Sequence, residues 1–346
     1  MVAIEETGHG RPTAEVLADV RDIVAPALRA AVAALPPAPR AIAEYHFGWR
    51  DEHGNPVSGA SGKLFRPALA LLAARTVGGA DRDAVPAAVA VELIHNFSLL
   101  HDDVMDGDTT RRHRATAWSV FGTGSAILAG DALLSLAFDT LAASGHPAAG
   151  DAARRLDTAV QRLIGGQSAD MDFERRTHVD AAECRAMAES KTGALLGGAC
   201  ALGSAFGGAG TAQVEDMRRF GELLGLAFQI ADDLLGIWGD PAVTGKPVHS
   251  DLRNRKKSLP VVAALSAGGT ESGELVALFT RDRPLEGAEL ARAADLVEMA
   301  GGRSWGEHET AALLQQALDH LRRAAYAGGP ASDLAALARL ATRRDH

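Results

Sequence analysis

From Pro86 to Leu100 the chain has no helix breaker and is dominated by Ala, Val, Leu and Glu, and it runs on into His101-Asp102-Asp103-Val104-Met105-Asp106. Such a stretch folds as a helix whose C-terminal end carries acids. On that helix Asp102 and Asp106 lie one turn apart on one face, with Asp103 beside them. Carboxylates so close raise each other's proton affinity unless a cation sits between them. A hard, oxygen-seeking ion such as Mg²⁺ takes one or two carboxylates and keeps positions for water and substrate phosphate. For one motif of this kind a solvated acidic helix end is the alternative.

A second acidic pair, Asp232-Asp233, comes directly after the apolar run Phe228-Gln229-Ile230-Ala231, where solvent-facing charge is not expected. Two such pairs in one helical chain suggest facing acidic walls of a cavity. Metals bridging those walls would bind an anion, and Lys63, Arg66, Arg111, Arg112, Lys191, Lys246 and Lys256 point to a diphosphate. Lys63 and Arg66 share a face at a helix start, where the helix dipole disfavours cations. That cost favours a binding role over a pair of surface charges.

Much of the remaining chain reads as helix, apart from a loop rich in Gly and Pro between Tyr45 and Lys63. Val16, Leu17, Val20, Ile23, Val24, Leu28, Val32 and Leu35 recur every three or four residues between Thr13 and Leu35, until Pro36-Pro37 intervenes. Further helices are expected at 126–143, 149–173, 181–206 and 212–238, with shorter ones at 274–278, 289–300, 307–326 and 331–343. Period-two strand alternation is absent from the sequence. With 346 residues and 47% hydrophobic content, the chain can bury a sizeable core. The expectation is an all-α, single-domain bundle over residues 13–346 with the active site in its core. Residues 1–12 read as a disordered arm without signal-peptide character. A net charge of −9 argues against nucleic-acid binding. Cys184 and Cys200 lack metal-ligand spacing and read as reduced core thiols, which with the absence of an eighteen-residue apolar run suggests a cytoplasmic protein without a transmembrane segment.

Taken in order, the motifs resemble the trans-isoprenyl diphosphate synthases, the polyprenyl synthetase family, and within it actinobacterial geranylgeranyl diphosphate synthases. The resemblance rests on Gly62-Lys63-Leu64-Phe65-Arg66-Pro67, Glu92-Leu93-Ile94-His95, the first acidic motif with Arg111-Arg112, Lys191-Thr192-Gly193, Gln229-Ile230-Ala231-Asp232-Asp233, Gly245-Lys246 and Asp251 through Pro260. It implies the isoprenoid synthase fold and head-to-tail condensation. An allylic diphosphate (dimethylallyl, geranyl or farnesyl) ionises, and isopentenyl diphosphate attacks the cation and then loses a proton.

In that reading three Mg²⁺ are held by Asp102, Asp106 and Asp232, and Asp103 and Asp233 act through metal-bound water. Arg111, Lys191 and Lys246 hold the allylic diphosphate with Lys256 behind them. Lys63, Arg66, His95 and Arg112 hold isopentenyl diphosphate, and Thr192 and Gln229 offer oxygens near the nascent cation. Bulk beneath Asp102 limits the product: a small residue at the fourth position before the motif, Ser98, with an aromatic at the fifth, Phe97, resembles synthases that stop at twenty carbons. Family membership also implies a homodimer. The chain departs from the pattern at Gly236, where a third acid is usual and for which Asp240 is a candidate substitute. It departs again at His113 and Ala115, where Gly and Pro are usual. A farnesyl or longer-chain synthase, a class I terpene cyclase and a non-catalytic partner subunit are the alternatives; for a cyclase, Lys63, Arg66 and Arg112 have no substrate to hold.

Overall fold

The computed structural model describes residues 11–57, 64–241, 248–281, 283–326 and 329–343. Lys63, Lys246 and the first ten residues lie outside them. Two compact units emerge, one of Met1–Thr158, Gly198–Arg218 and Arg322–Leu334, the other of Ala159–Gly197, Arg219–Leu321 and Ala335–His346.

The first unit opens with α1 (Thr13–Ala33), which buries Val16, Val20, Val24, Leu28 and Val32 along one stripe. Each such side chain contributes roughly 1.5–3 kcal/mol by leaving water. Arg11, expected in the disordered arm, instead donates to Asp333 through its backbone N (3.0 Å) and Nε (3.1 Å). Pro37 stands at the first position of α2 (Pro37–His46), where a fixed φ and a missing N–H do no harm. α3 (Phe65–Thr76) is buried almost all round, and α4 (Asp81–Asp106) packs on it and on α6 (Thr123–Ala143). Gly107, at φ 69°, ends α4 directly after Asp106, so the acids occupy its last two turns. Between α4 and the short α5 (Ala117–Phe121) comes a two-stranded hairpin, β1 (Thr110–Arg111) and β2 (Arg114–Ala115). No strand was expected; a strand of two residues is too short to leave an alternating pattern.

The second unit takes in much of α7 (Ala149–Arg175), then α8 (Ala181–Ala188), a π-helical turn (Glu189–Gly193), and the start of α9 (Ala194–Phe206). Asp180 and Glu183 form a reciprocal capping box at the head of α8. The single helix expected over 181–206 is thus interrupted by one wide turn. Most of α10 (Thr211–Trp238) comes next, with α11 (Ser250–Arg253), α12 (Leu259–Ser266), α13 (Gly269–Phe279), α14 (Ala288–Met299), α15 (Gly302–Ala324) and part of α16 (Gly329–Thr342). Phe173, Cys184, Met187, Leu226, Ile230 and Leu259 form one core cluster. Both cysteines are free and buried.

The all-α expectation holds. By length and averaged composition alone, α4 and α6 are long and apolar enough to span a membrane. Neither has an uninterrupted apolar run, but averaged hydropathy tolerates a few charges. In α4 that hydropathy serves the core, since 72% of its apolar window is buried, against 39% in α6.

Candidate active site

In the first unit, three arginines gather around a cavity of about 100 Å³ whose lining includes His46, Asp103, Arg111, Arg112 and Arg114. Arg66 Nη1 donates to His95 Nε2 at 3.1 Å, which leaves the ring proton on Nδ1. Burial, and then Arg66 and Arg112, hold the His95 pKa well below its ordinary value, so the ring is neutral. His46 is pushed down to about 3 by burial and by Arg111 and Arg112. Burial lowers Arg66 to about 10 against the opposing pull of Glu92, leaving it charged at neutral pH. Arg66 Nε is buried without a partner among the described residues, a donor suited to an anion. Glu92, itself buried, accepts from Asn96 Nδ2 at 3.0 Å.

At the end of α4, Asp102 is half-buried, Asp106 exposed and Asp103 buried. Arg111 Nε donates to Asp103 Oδ1 at 2.6 Å. Burial raises the Asp103 pKa, and Arg111 opposes the rise. Its buried Oδ2 has no partner among the described residues. Ser98, one turn before Asp102, is buried and gives its hydroxyl to His95 O at 2.8 Å. Phe97 packs edge-on against the His101 ring, 4.8 Å between centroids, and His101 in turn lies against α6 at Ile127 O (3.1 Å). A side chain at Gly130 would collide with that ring, so His101 is a packing residue of the α4–α6 contact.

In the second unit a chain of polar side chains crosses from the π turn to α10. Lys191 Nζ pairs with Asp170 Oδ2 at 2.5 Å, and Thr192 Oγ1 donates to Gln229 Oε1 at 2.7 Å. Asp233 accepts from Gln229 Nε2 (3.0 Å), Lys256 Nζ (3.0 Å) and Leu259 N (3.2 Å). Burial raises the Asp233 pKa while Lys256 pulls it down, and Lys256 is held charged by Asp233 and Asp251. Asp232, its neighbour, is half-buried. Cys184 lines the same pocket as Lys191 and Asp233, but burial pushes its thiol up to about 12, so it is no nucleophile.

A polyprenyl synthetase family model matches residues 49–297. The chain belongs to the polyprenyl synthetase family. It is 44% identical to a (2E,6E)-farnesyl diphosphate synthase of Mycobacterium tuberculosis over 95% of this chain and 92% of that one. It is 45% identical to a geranylgeranyl diphosphate synthase of the same species, over 88% and 86%. A crystal structure of a polyprenyl synthetase from Streptomyces coelicolor superposes with a TM-score of 0.92 at 47% identity, over 96% and 100%. Like its family, this polyprenyl synthetase is a prenyltransferase that extends prenyl chains head to tail.

The structure brings together most of the residues expected from the motifs of this polyprenyl synthetase: Arg66, His95, Arg111, Arg112 and Asp103 in one unit, and Lys191, Thr192, Gln229, Asp233 and Lys256 in the other. It corrects one expectation. Asp240 is exposed beyond the end of α10, so the helical spacing that made it a substitute for a third acid does not apply. Asp251 lies there instead: a side chain at Gly236 would run into its carboxylate. Sequence reading also missed Asp170, His46 and Asn96, and gave Glu92 a place in a motif without a role. For Asp170 the available hint was the Gly165-Gly166 pair within a helix, since a side chain at Gly166 would strike the backbone of Lys191.

Among the described residues no three His, Cys, Asp or Glu side chains form a metal cage. Mg²⁺ takes one or two carboxylates and completes its shell with water and phosphate. Hard oxygen donors at Asp102 and Asp106, and the orphaned buried Oδ2 of Asp103, fit Mg²⁺ and its waters.

Proposed function

We propose that the enzyme condenses isopentenyl diphosphate with allylic diphosphates to make geranylgeranyl diphosphate, and that it acts as a cytoplasmic homodimer with three Mg²⁺ per site. The observation that carries the product is Ser98, small and buried one turn below Asp102, while Phe97 is turned aside against His101. A prenyl tail passing Asp102 on that face meets a hydroxymethyl group and not a ring.

Asp102, Asp106 and Asp232 would hold the metal, which supplies charge neutralisation for a departing diphosphate. Asp103 and Asp233, each anchored by a cation, would orient the water of a bound metal. Arg111, Lys191 and Lys246 grip the allylic diphosphate, with Lys256 behind; Thr192 and Gln229 turn oxygens toward developing positive charge. Lys63, Arg66, His95 and Arg112 hold isopentenyl diphosphate. With Arg66 donating to Nε2, His95 presents Nδ1–H as a further donor.

A farnesyl product is the second reading, favoured by the 44% identity to a farnesyl diphosphate synthase. Chromatography of dephosphorylated products from isopentenyl and farnesyl diphosphates with Mg²⁺ separates the readings. A twenty-carbon alcohol supports the proposal, and a fifteen-carbon end point from dimethylallyl diphosphate replaces it with the second. A cyclic hydrocarbon would mean a cyclase, and inertness toward dimethylallyl, geranyl and farnesyl diphosphates alike a silent subunit. Asp102→Ala is expected to lower turnover by at least about a thousandfold, from the loss of transition-state charge stabilisation, with its circular dichroism unchanged. Near-normal turnover would sink the metal role.

A further inference from the structure

Arg112 and His113 are the two central residues of a two-residue hairpin, with Arg111 paired to Arg114 and Thr110 to Ala115. Their φ angles are 51° and 62°, both left-handed. Turns of this mirror-image type are the domain of Asn and Gly, and residues with bulky side chains occupy them only where surroundings over-determine the backbone. Arg112 is a substrate residue in the proposed function, so something must hold it in that conformation.

The surroundings centre on Arg114. Its guanidinium stacks 4.5 Å from the ring centroid of the buried Tyr45, Nη1 donates to Tyr45 O at 3.1 Å and Nη2 to Arg50 O at 3.1 Å. Tyr45 reciprocates, its Oη donating to Ala115 O at 2.8 Å. Gly48, at φ 74°, lies so close that a side chain there would come within 3.1 Å of Nη1. The seat itself is rigid: Phe47 and Trp49 stack at 4.6 Å, and Arg29 lies 4.3 Å from the Trp49 ring centroid. The base of the hairpin is closed by Thr116 Oγ1 and Trp118 Nε1, both donating to Asp108 O at 2.7 and 2.8 Å.

We infer that Arg114 is a positioning residue: by clipping β2 to Tyr45 and Arg50 it holds the strained turn that presents Arg112 to isopentenyl diphosphate. Its bonds run to two backbone carbonyls and a ring, so its charge serves the scaffold. The inference rests on the isopentenyl reading of Arg112 for its kinetic consequence, though not for the clip itself.

The test uses the full-length enzyme. Arg114→Ala is expected to raise the KM for isopentenyl diphosphate at least about tenfold, the worth of a charge-assisted contact, with kcat and the allylic KM within about twofold. Adding His113→Gly, which accepts the left-handed conformation without strain, restores most of that KM; a residue that merely supports the fold gives no such split and no such rescue. Limited trypsin digestion read by mass spectrometry reports the clip without any ligand. Cleavage after Arg111 and Arg112 appears in Arg114→Ala and not in the parent. If Arg114→Ala fails to fold, Tyr45→Phe removes only the hydroxyl bond to Ala115 and shifts KM the same way, by about threefold. An unchanged KM with an uncut hairpin overturns the inference. So does a raised KM with an uncut hairpin and no rescue, which makes Arg114 a direct ligand. Should Arg112→Ala leave the isopentenyl KM untouched while Arg114→Ala still exposes the hairpin, the reading of Arg112 fails and the clip stands.

Discussion

At Arg66 the guanidinium hydrogen-bonds a neutral histidine, so its charge remains available for an anion. Arg66→Ala should weaken isopentenyl diphosphate by roughly 1.5–3 kcal/mol and leave the allylic substrate unaffected. Calorimetric titration of each substrate separately checks this, and equal weakening of both would dissolve the division into two sites. His46 makes a pH prediction. Its folded pKa, about 3, lies below the ordinary 6.5, so as pH falls from 6.5 toward 3 the unfolded chain takes up a proton that the folded chain refuses. Stability is therefore lost on acidification across that window, with a limiting slope of about 1.4 kcal/mol per pH unit from this group. Urea midpoints at pH 6.5, 5.5 and 4.5 should fall less steeply in His46→Gln than in the parent. At Ser98 a ring should lift the floor: Ser98→Phe is expected to convert a twenty-carbon product to a fifteen-carbon one, read by chromatography. An unchanged length would place the floor elsewhere. The acids and basic motifs were legible one by one because their types and helical spacing announce their chemistry. His46 and Asn96 were not, because nothing local marks a histidine that only folding sets beside three arginines.

The π turn at Glu189–Gly193 shows what an element adds to its residues. One extra residue in the turn rotates the start of α9 by about 100° relative to a continuous α-helix. Lys191 thereby reaches Asp170 while Thr192 meets Gln229. Deleting Ser190 should restore a regular helix, keep the far-ultraviolet dichroism and cost at least about tenfold in turnover, as both contacts lose register; full activity would show that the wide turn is incidental. The long helices were readable, and the ends of α1, α4 and α10 fell close to their expected places because Pro36-Pro37, Gly107 and Gly239 punctuate them; the shorter α2, α5, α11 and α12 were not expected. The π turn and the hairpin were not readable. Both are imposed by contacts with residues distant in the chain, against local preference.

For the molecule as a whole, α6 is the element least accounted for by the single chain. Ile127 is 38% and Leu128 66% exposed on a helix apolar enough to span a membrane. A second copy packed there fits the proposed homodimer, and Leu128→Arg should then shift the mass seen by light scattering at micromolar concentration from dimer to monomer. A parent that is already monomeric removes the dimer. The overall class was legible from periodicity alone, whereas the partner of Gly236 was not, since Asp251 is fifteen positions away across residues of unrelated character. That pairing sets a condition on any change at this position. An acid placed at 236 has the Asp251 carboxylate as its immediate neighbour, so it is admitted only as the Asp251 side chain swings aside. Two carboxylates meeting there raise each other's proton affinity unless a cation is drawn in between them, so such a change would alter the local charge as well as the packing.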